Sequence, residues 1–213
     1  MRNKIILSVV LALLCYSVIV LINLLEIEVK NTDSKGKNII CFGDSITFGY
    51  GAESGEDYPT ALAKMVKMPV INSGIDGDTT VEALKRLDSD VISRQPFLVI
   101  IEFAGNDFLR AVPKETTVNN IKLMVDKIQA KGAMVAIVDI SAGMFLREYR
   151  LAFYNLARQK NTIFVPAVLS GIITNPSMKS DFLHPNGNGY KKIAERVSTA
   201  IKPYLVQEED KKK

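Results

Sequence analysis

From residue 38 onward, short apolar runs alternate with longer segments whose apolar residues recur every three or four positions. The runs at 38–42, 70–72, 97–103, 133–140 and 162–165 are consistent with buried strands. Glu102 is the one charged residue within the third run. The segments between them carry helical spacing. Residues 57–68 place Leu62, Met65 and Val66 on one face. Asp78, Thr79 and Thr80 supply cap chemistry for a helix to about residue 93, with Val81, Leu84, Leu87 and Val91 inward. Thr116 or Thr117 opens a helix to about residue 130. Its inward stripe is Ile121, Met124, Val125 and Ile128, and Gly132 closes it. Residues 145–159 and 187–206 complete the helices, with Pro203 at a turn or kink in the last. This alternation predicts an α/β domain with a mostly parallel five-stranded sheet covered on both faces.

The N-terminal stretch is a different material. Residues 5–25 carry no charge and are almost all apolar, which matches the roughly 20 residues a helix needs to cross a bilayer core. Arg2 and Lys4 precede the run, and Glu26 and Glu28 follow it. The positive flank favours a cytoplasmic N-terminus, residues 1–4, and an extracytoplasmic domain, periplasmic or on the cell surface. A cleaved signal peptide, giving a secreted protein, is the alternative. Its apolar region is usually shorter and ends in small residues. Here the run closes on Leu21-Ile22-Asn23-Leu24-Leu25. Residues 26–37 read as a polar linker, 38–206 as the domain and 207–213 as a charged tail.

Beyond the apolar run the charge is nearly balanced. All 23 acidic residues lie there, with 25 of the 27 Lys and Arg residues, for a net charge of about +2. That is no footprint for nucleic acid, which needs basic residues clustered on one face. The two cysteines, Cys15 and Cys41, fall in the apolar run and in the first strand, so neither a disulfide framework nor metal-binding spacing exists. No metal and no other cofactor is expected.

The chemistry-bearing residues lie where strands end. Ser45 follows the first strand in Gly43-Asp44-Ser45. Glycines in the segment 72–80 follow the second, and Gly105-Asn106-Asp107 follow the third. In parallel sheets, ligands bind beyond the carboxyl ends of strands. His184 is the only histidine and stands three residues after Asp181. It is the one imidazole able to take a proton from Ser45, and Asp181 can orient it. The backbone N–H of Ser45, a glycine N–H from 72–80 and the Asn106 amide are candidate donors to an oxyanion. Each feature has a plainer reading as turn chemistry, since turns favour Gly, Asn and Asp.

Taken in order, Gly43-Asp44-Ser45, Gly77-Asp78-Thr79, Gly105-Asn106-Asp107 and Asp181-x-x-His184 resemble the four signature blocks of the SGNH, or GDSL, hydrolases. The fuller strings resemble the branch with thioesterase I, lysophospholipases and arylesterases. The resemblance implies a flavodoxin-like three-layer α/β/α fold. It implies Ser45 as nucleophile, His184 as base and Asp181 as its partner, with an oxyanion hole from Ser45, Gly77 and Asn106. It singles out Gly77 over Gly74, because the family glycine directly precedes Asp-Thr. Asp44 is assigned no catalytic role; shaping the turn is its plainer reading.

The expected activity is a membrane-anchored serine esterase acting on small-molecule or lipid acyl esters of lysophospholipid, aryl or thioester type. Phe108, Leu109, Met144, Phe145 and Leu146, in the loops after strands three and four, are the expected acyl contacts. Arg110 and Arg147 are candidates to meet a phosphate headgroup, with solvated surface arginines as their plainer reading. Removal of O-acetyl groups from cell-surface glycans is the alternative enzymatic reading, and an anchored interaction module without turnover is the non-enzymatic one.

Overall fold

The computed structural model describes residues 28–144 and 146–205. The anchor expected at 5–25, the tip at 1–4 and the tail at 207–213 lie outside the described residues. No described helix is long and apolar enough to cross a membrane.

Five parallel strands form one sheet: β1 (Asn38–Gly43), β2 (Val70–Gly74), β3 (Pro96–Glu102), β4 (Met134–Val138) and β5 (Ile163–Val165), in the order β2-β1-β3-β4-β5. Every residue of β3 and β4 is buried. This accounts for their unbroken apolar runs, since a strand covered on both faces has no polar side to show. Among the described residues seven α-helices connect or follow the strands: α1 (Ser45–Phe48), α2 (Tyr58–Ala63), α3 (Thr80–Asp90), α4 (Gly105–Leu109), α5 (Lys114–Ala130), α6 (Arg147–Lys160) and α7 (Gly187–Ile201).

The chain steps from β1 to β2 in one direction, then returns past β1 to β3 and continues outward. With right-handed crossovers, that reversal sends the β1–β2 connection to one face and the later ones to the other. Accordingly α2 packs on α7, while α5 lies against both α3 and α6. The strand order is that of doubly wound sheets whose ligands bind where the direction reverses, here between β1 and β3. Gly43 is in register with Gly74 on one side and Glu102 on the other. The three loops that follow therefore leave the sheet at one level.

Local chemistry sets the helix starts. Asp57 caps α2 through Thr60 N–H. Thr79 and Glu82 form a reciprocal capping box at α3, satisfying two otherwise orphaned donors. Asn186 caps α7.

Some boundaries differ from the periodicity. The helix expected over 57–68 ends at Ala63, where Lys64 N–H bonds to the Ala61 and Leu62 carbonyls and tightens the last turn. Pro69 then disfavours a helical Met68. Met65 is consequently exposed rather than inward. In α3 the cap sets the phase, so Ala83 and Leu87 face the core while Val81 is exposed. The last helix stops at Ile201, and Pro203 falls in a short 3-10 turn, Lys202–Tyr204. Residues 28–37 are docked on the domain: Val29 is buried, Lys30 N–H bonds to Asn161 O, and the Asn31 amide bonds to Gln129 O and Ala133 O.

Candidate active site

The turn after β1 presents Ser45. Asp44 caps α1, its Oδ1 accepting from Ile46 N–H at 3.0 Å, which makes Ser45 the first helical residue. Ser45 is buried, yet it lines a cavity at the sheet edge. Gly74 lies beneath this turn; a Cβ there would collide with the backbone of Thr47 and Phe48. Its role is close packing of β2 under α1.

The loop before α7 supplies the base. His184 Nε2 is 3.1 Å from Ser45 Oγ, and Nδ1 is 2.8 Å from Asp181 Oδ2. The other Asp181 oxygen accepts from Leu183 N–H at 2.7 Å and His184 N–H at 2.8 Å, so the turn holds the carboxylate in place. An ionised carboxylate only accepts, so Nδ1 carries the proton and Nε2 is free to accept from the Ser45 hydroxyl. Partial burial alone raises the Asp181 carboxyl. The hydrogen bonds from the His184 ring, His184 N–H and Leu183 N–H outweigh it and hold the group below its ordinary range. The Tyr50 ring lies against the imidazole, centroids 4.5 Å apart, and buried Tyr190 donates to the Tyr50 carbonyl at 2.7 Å.

Three further donors stand at this edge. The N–H groups of Ser45 and Gly77 have no hydrogen-bond partner among the described residues. Gly77 has a positive φ of 78°, and its carbonyl accepts from Arg110 Nη2 at 2.7 Å. Asn106 lines the cavity and spends one amide hydrogen on Asp78 O at 3.1 Å, leaving a second. Its neighbour Asp107 is fully buried and accepts from Thr80 N–H, the Thr80 hydroxyl and the Thr117 hydroxyl. That locks the short helix α4 against α3 and α5.

Behind Ser45 lie two carboxyl groups, Asp44 and Glu102, each about 1% exposed. Glu102 Oε2 accepts from Thr47 Oγ1 at 2.8 Å. Burial, then the adjacent Glu102 charge, pushes the Asp44 carboxyl well above its ordinary range. Burial also pushes Glu102 up to about 7, against the hydrogen bonds from Thr47 and Asp44. Glu102 Oε1 is itself buried and has no hydrogen-bond partner among the described residues. Glu102 binds its proton more tightly folded than unfolded. The native state thus holds more protons between the ordinary value of 4.5 and about 7, and stability falls as pH rises through that window. Glu102→Gln should flatten the fall, by at most on the order of 3 kcal/mol across the window. Urea unfolding at a series of pH values measures this; an unchanged slope would place the proton elsewhere.

The cavity holds about 130 Å³ and is lined on its apolar side by Ile46, Leu109, Ile140, Leu169 and Leu183. Of the four described residues among the five expected to meet the acyl group, only Leu109 is there. Phe108, Met144 and Leu146 line a separate hollow with Arg147 and Leu151. Consecutive residues of α4 point about 100° apart, which divides Phe108 from Leu109. Leu146 is buried in the core, Met144 is 90% exposed, and Phe145 lies outside the described residues. Arg110 meets Glu82 and Gly77. Ile140, Leu169 and Leu183 carry no signal in the sequence beyond ordinary core character. A larger hollow, about 570 Å³, near residues 31–36 and 131–132 holds none of the four sequence blocks.

A parallel α/β sheet with a serine, a histidine and a carboxylate in contact at its switch point, beside unengaged N–H groups, defines the class as carboxylic ester hydrolase. The chain belongs to the GDSL-like lipase/acylhydrolase family, whose sequence profile matches residues 41–192. It is similar to an arylesterase of Vibrio mimicus, 31% identical over 79% of this chain and 90% of that one. It is also similar to thioesterase 1/protease 1/lysophospholipase L1 of Escherichia coli K12, 27% identical over 78% of this chain and 84% of that one. Among solved structures it is similar to the psychrotrophic esterase EstA of Pseudoalteromonas sp., inhibited by monoethylphosphonate. The TM-score is 0.71, with 27% identity over 79% of this chain and 98% of that one.

Proposed function

We propose that this chain hydrolyses acyl esters through an acyl-enzyme on Ser45. The observation that carries the reading is the His184 ring, with Nε2 3.1 Å from Ser45 Oγ and Nδ1 2.8 Å from Asp181. Ser45 Oγ attacks the ester carbonyl and His184 takes its proton. Asp181 holds the tautomer and stabilises the imidazolium. The Ser45 and Gly77 N–H groups and the free Asn106 amide hydrogen receive the oxyanion. His184 returns the proton to the leaving alcohol or thiol, and water then repeats the attack on the acyl-enzyme. No step requires a metal or cofactor.

The substrate is an aryl, thio or lysophospholipid ester whose acyl group enters the cavity between Leu109, Ile140, Leu169 and Leu183. At about 130 Å³ this cavity is close to the size of a protein cavity that holds benzene, so short acyl chains fit fully. Longer chains must run out past the exposed side chains of Leu109 and Phe182. The apolar segment 5–25 supports attachment to a membrane, with the domain on the extracytoplasmic side. The small cavity also favours a second reading, release of O-acetyl groups from glycans.

Full-length protein in detergent, assayed on para-nitrophenyl esters from acetyl to palmitoyl, tests the proposal. The expected profile peaks at short to medium chains and is lost in Ser45→Ala. A peak at acetyl alone, with turnover of acetylated glycans, would move the substrate to the second reading. No hydrolysis of any ester would remove the enzymatic reading.

A further inference from the structure

We infer that Arg86 is a positioning residue for this reaction, one guanidinium that holds in register the two loops carrying the backbone oxyanion donors. The inference rests on reading the Ser45 and Gly77 N–H groups as those donors. Arg86 lies in α3, away from the cavity, and its side chain is only 13% exposed. Nε donates to Asp78 Oδ2 at 2.7 Å. Nη1 donates to the Ser73 carbonyl at 2.9 Å and to Asp90 Oδ2 at 3.0 Å. Nη2 donates to the Gly43 carbonyl at 3.1 Å. The group stacks 4.4 Å above the Phe42 ring, which limits its rotation.

The sequence positions of these acceptors give the cluster its meaning. Gly43 is two residues before Ser45, and its carbonyl is held by Arg86 and by Ile75 N–H. Asp78 directly follows Gly77, and its own N–H bonds to the Ile75 carbonyl, closing the turn that contains the Asp76–Gly77 peptide of the second donor; Arg86 anchors that turn at its Asp78 end. The Asp78 carbonyl accepts from Asn106, so the third donor takes its position from the same residue. All three donors are thus referred to one Arg86–Asp78 pair. Burial raises the Asp78 carboxyl, and its contact with Arg86 works against that rise. Charge neutralisation alone needs no more than a cation near Asp78 and Asp90. The contacts to two strand-end carbonyls need a planar fork, which arginine has and lysine lacks. A displacement of about 1 Å at such donors costs on the order of 10²-fold in rate.

Arg86→Lys tests this, because it keeps the charge and loses the fork. The folded full-length variant should lose about 10- to 100-fold in kcat on a para-nitrophenyl ester, within the range for impaired oxyanion donors. KM should change by less than about threefold, since the ground-state ester does not engage the donors. Inhibition by a trifluoromethyl ketone, which adds to a serine hydroxyl and leaves a tetrahedral oxyanion, should weaken by the same factor as kcat. A purely structural role would lower the melting temperature and leave these constants unmoved in the folded fraction. Should Arg86→Lys fail to fold, Asp78→Asn keeps the side-chain shape, breaks the ion pair and should give the same loss confined to kcat. Folded variant with kcat within twofold of wild type, or a loss confined to KM, overturns the inference. Ser45→Ala assayed alongside separates the two readings. Activity surviving in Ser45→Ala removes the serine mechanism itself. An inactive Ser45→Ala beside a fully active Arg86→Lys removes only the clamp.

Discussion

Ser45→Ala should lower kcat on a para-nitrophenyl ester by about 10⁴- to 10⁶-fold, the range for loss of a serine nucleophile. The fold should hardly notice. The Ser45 contacts that shape α1 are made by its backbone carbonyl, which accepts from Gly49 and Tyr50 N–H, and alanine keeps it. The Asp44 cap is directed at Ile46, not at the serine side chain. What alanine removes is the hydroxyl 3.1 Å from His184 Nε2. His184→Ala should cost a similar factor, and the double variant little more than either single one, because nucleophile and base act as one unit. Steady-state kinetics with melting curves for the three variants checks this. Multiplying losses would show that the two residues act separately.

Asp181→Asn should cost about 10⁴-fold in kcat while leaving the loop intact. The asparagine oxygen takes over the two backbone bonds from Leu183 and His184, now made to Asp181 Oδ1 at 2.7 and 2.8 Å. Its amide nitrogen then faces His184 Nδ1, where the carboxylate oxygen stood at 2.8 Å. An NH₂ group donates and cannot accept, so Nδ1 must offer a lone pair and the proton moves to Nε2. The ring then has nothing with which to accept the Ser45 proton. Asp181→Ala would loosen the turn as well and so mix two effects; the asparagine isolates the tautomer. The check is kcat across pH together with a crystal structure of the variant. Full activity with the imidazole in place would show that Asp181 serves only the turn.

The strands were legible because β3 and β4 are buried on both faces and so appear as unbroken apolar runs. The serine, histidine and aspartate were legible because each sits in a short string with turn residues around it, and the chain offers a single histidine. Parallel topology then carries the loops after β1, β2 and β3 to one edge, which the register of Gly43 with Gly74 and Glu102 makes concrete. The acyl side of the cavity was not legible in the same way. Leu169 and Leu183 come from irregular chain between β5 and α7, and Ile140 from just beyond β4, where no periodicity tells cavity wall from core. Met144 and Phe108 are hydrophobic and near the right strand ends, but backbone direction turns them to another hollow. In the sequence Arg86 is one charged residue among several on an amphipathic helix. Only the fold shows that its donors end on Ser73, Gly43 and Asp78. The segment 26–37 reads as a linker by composition, yet Asn31 uses its amide to bond two carbonyls of the domain.

The central claim is that Ser45 is the atom acylated, and it can be trapped. A para-nitrophenyl alkylphosphonate releases one nitrophenolate as it bonds irreversibly to an activated serine, and mass spectrometry of the digested protein locates the adduct. One equivalent of nitrophenolate should be released, ester turnover should be lost completely, and the phosphonyl group should be found on Ser45, with no labelling in Ser45→Ala. Ester turnover that continues in unlabelled protein, or an adduct on any other residue accompanied by loss of activity, would contradict it.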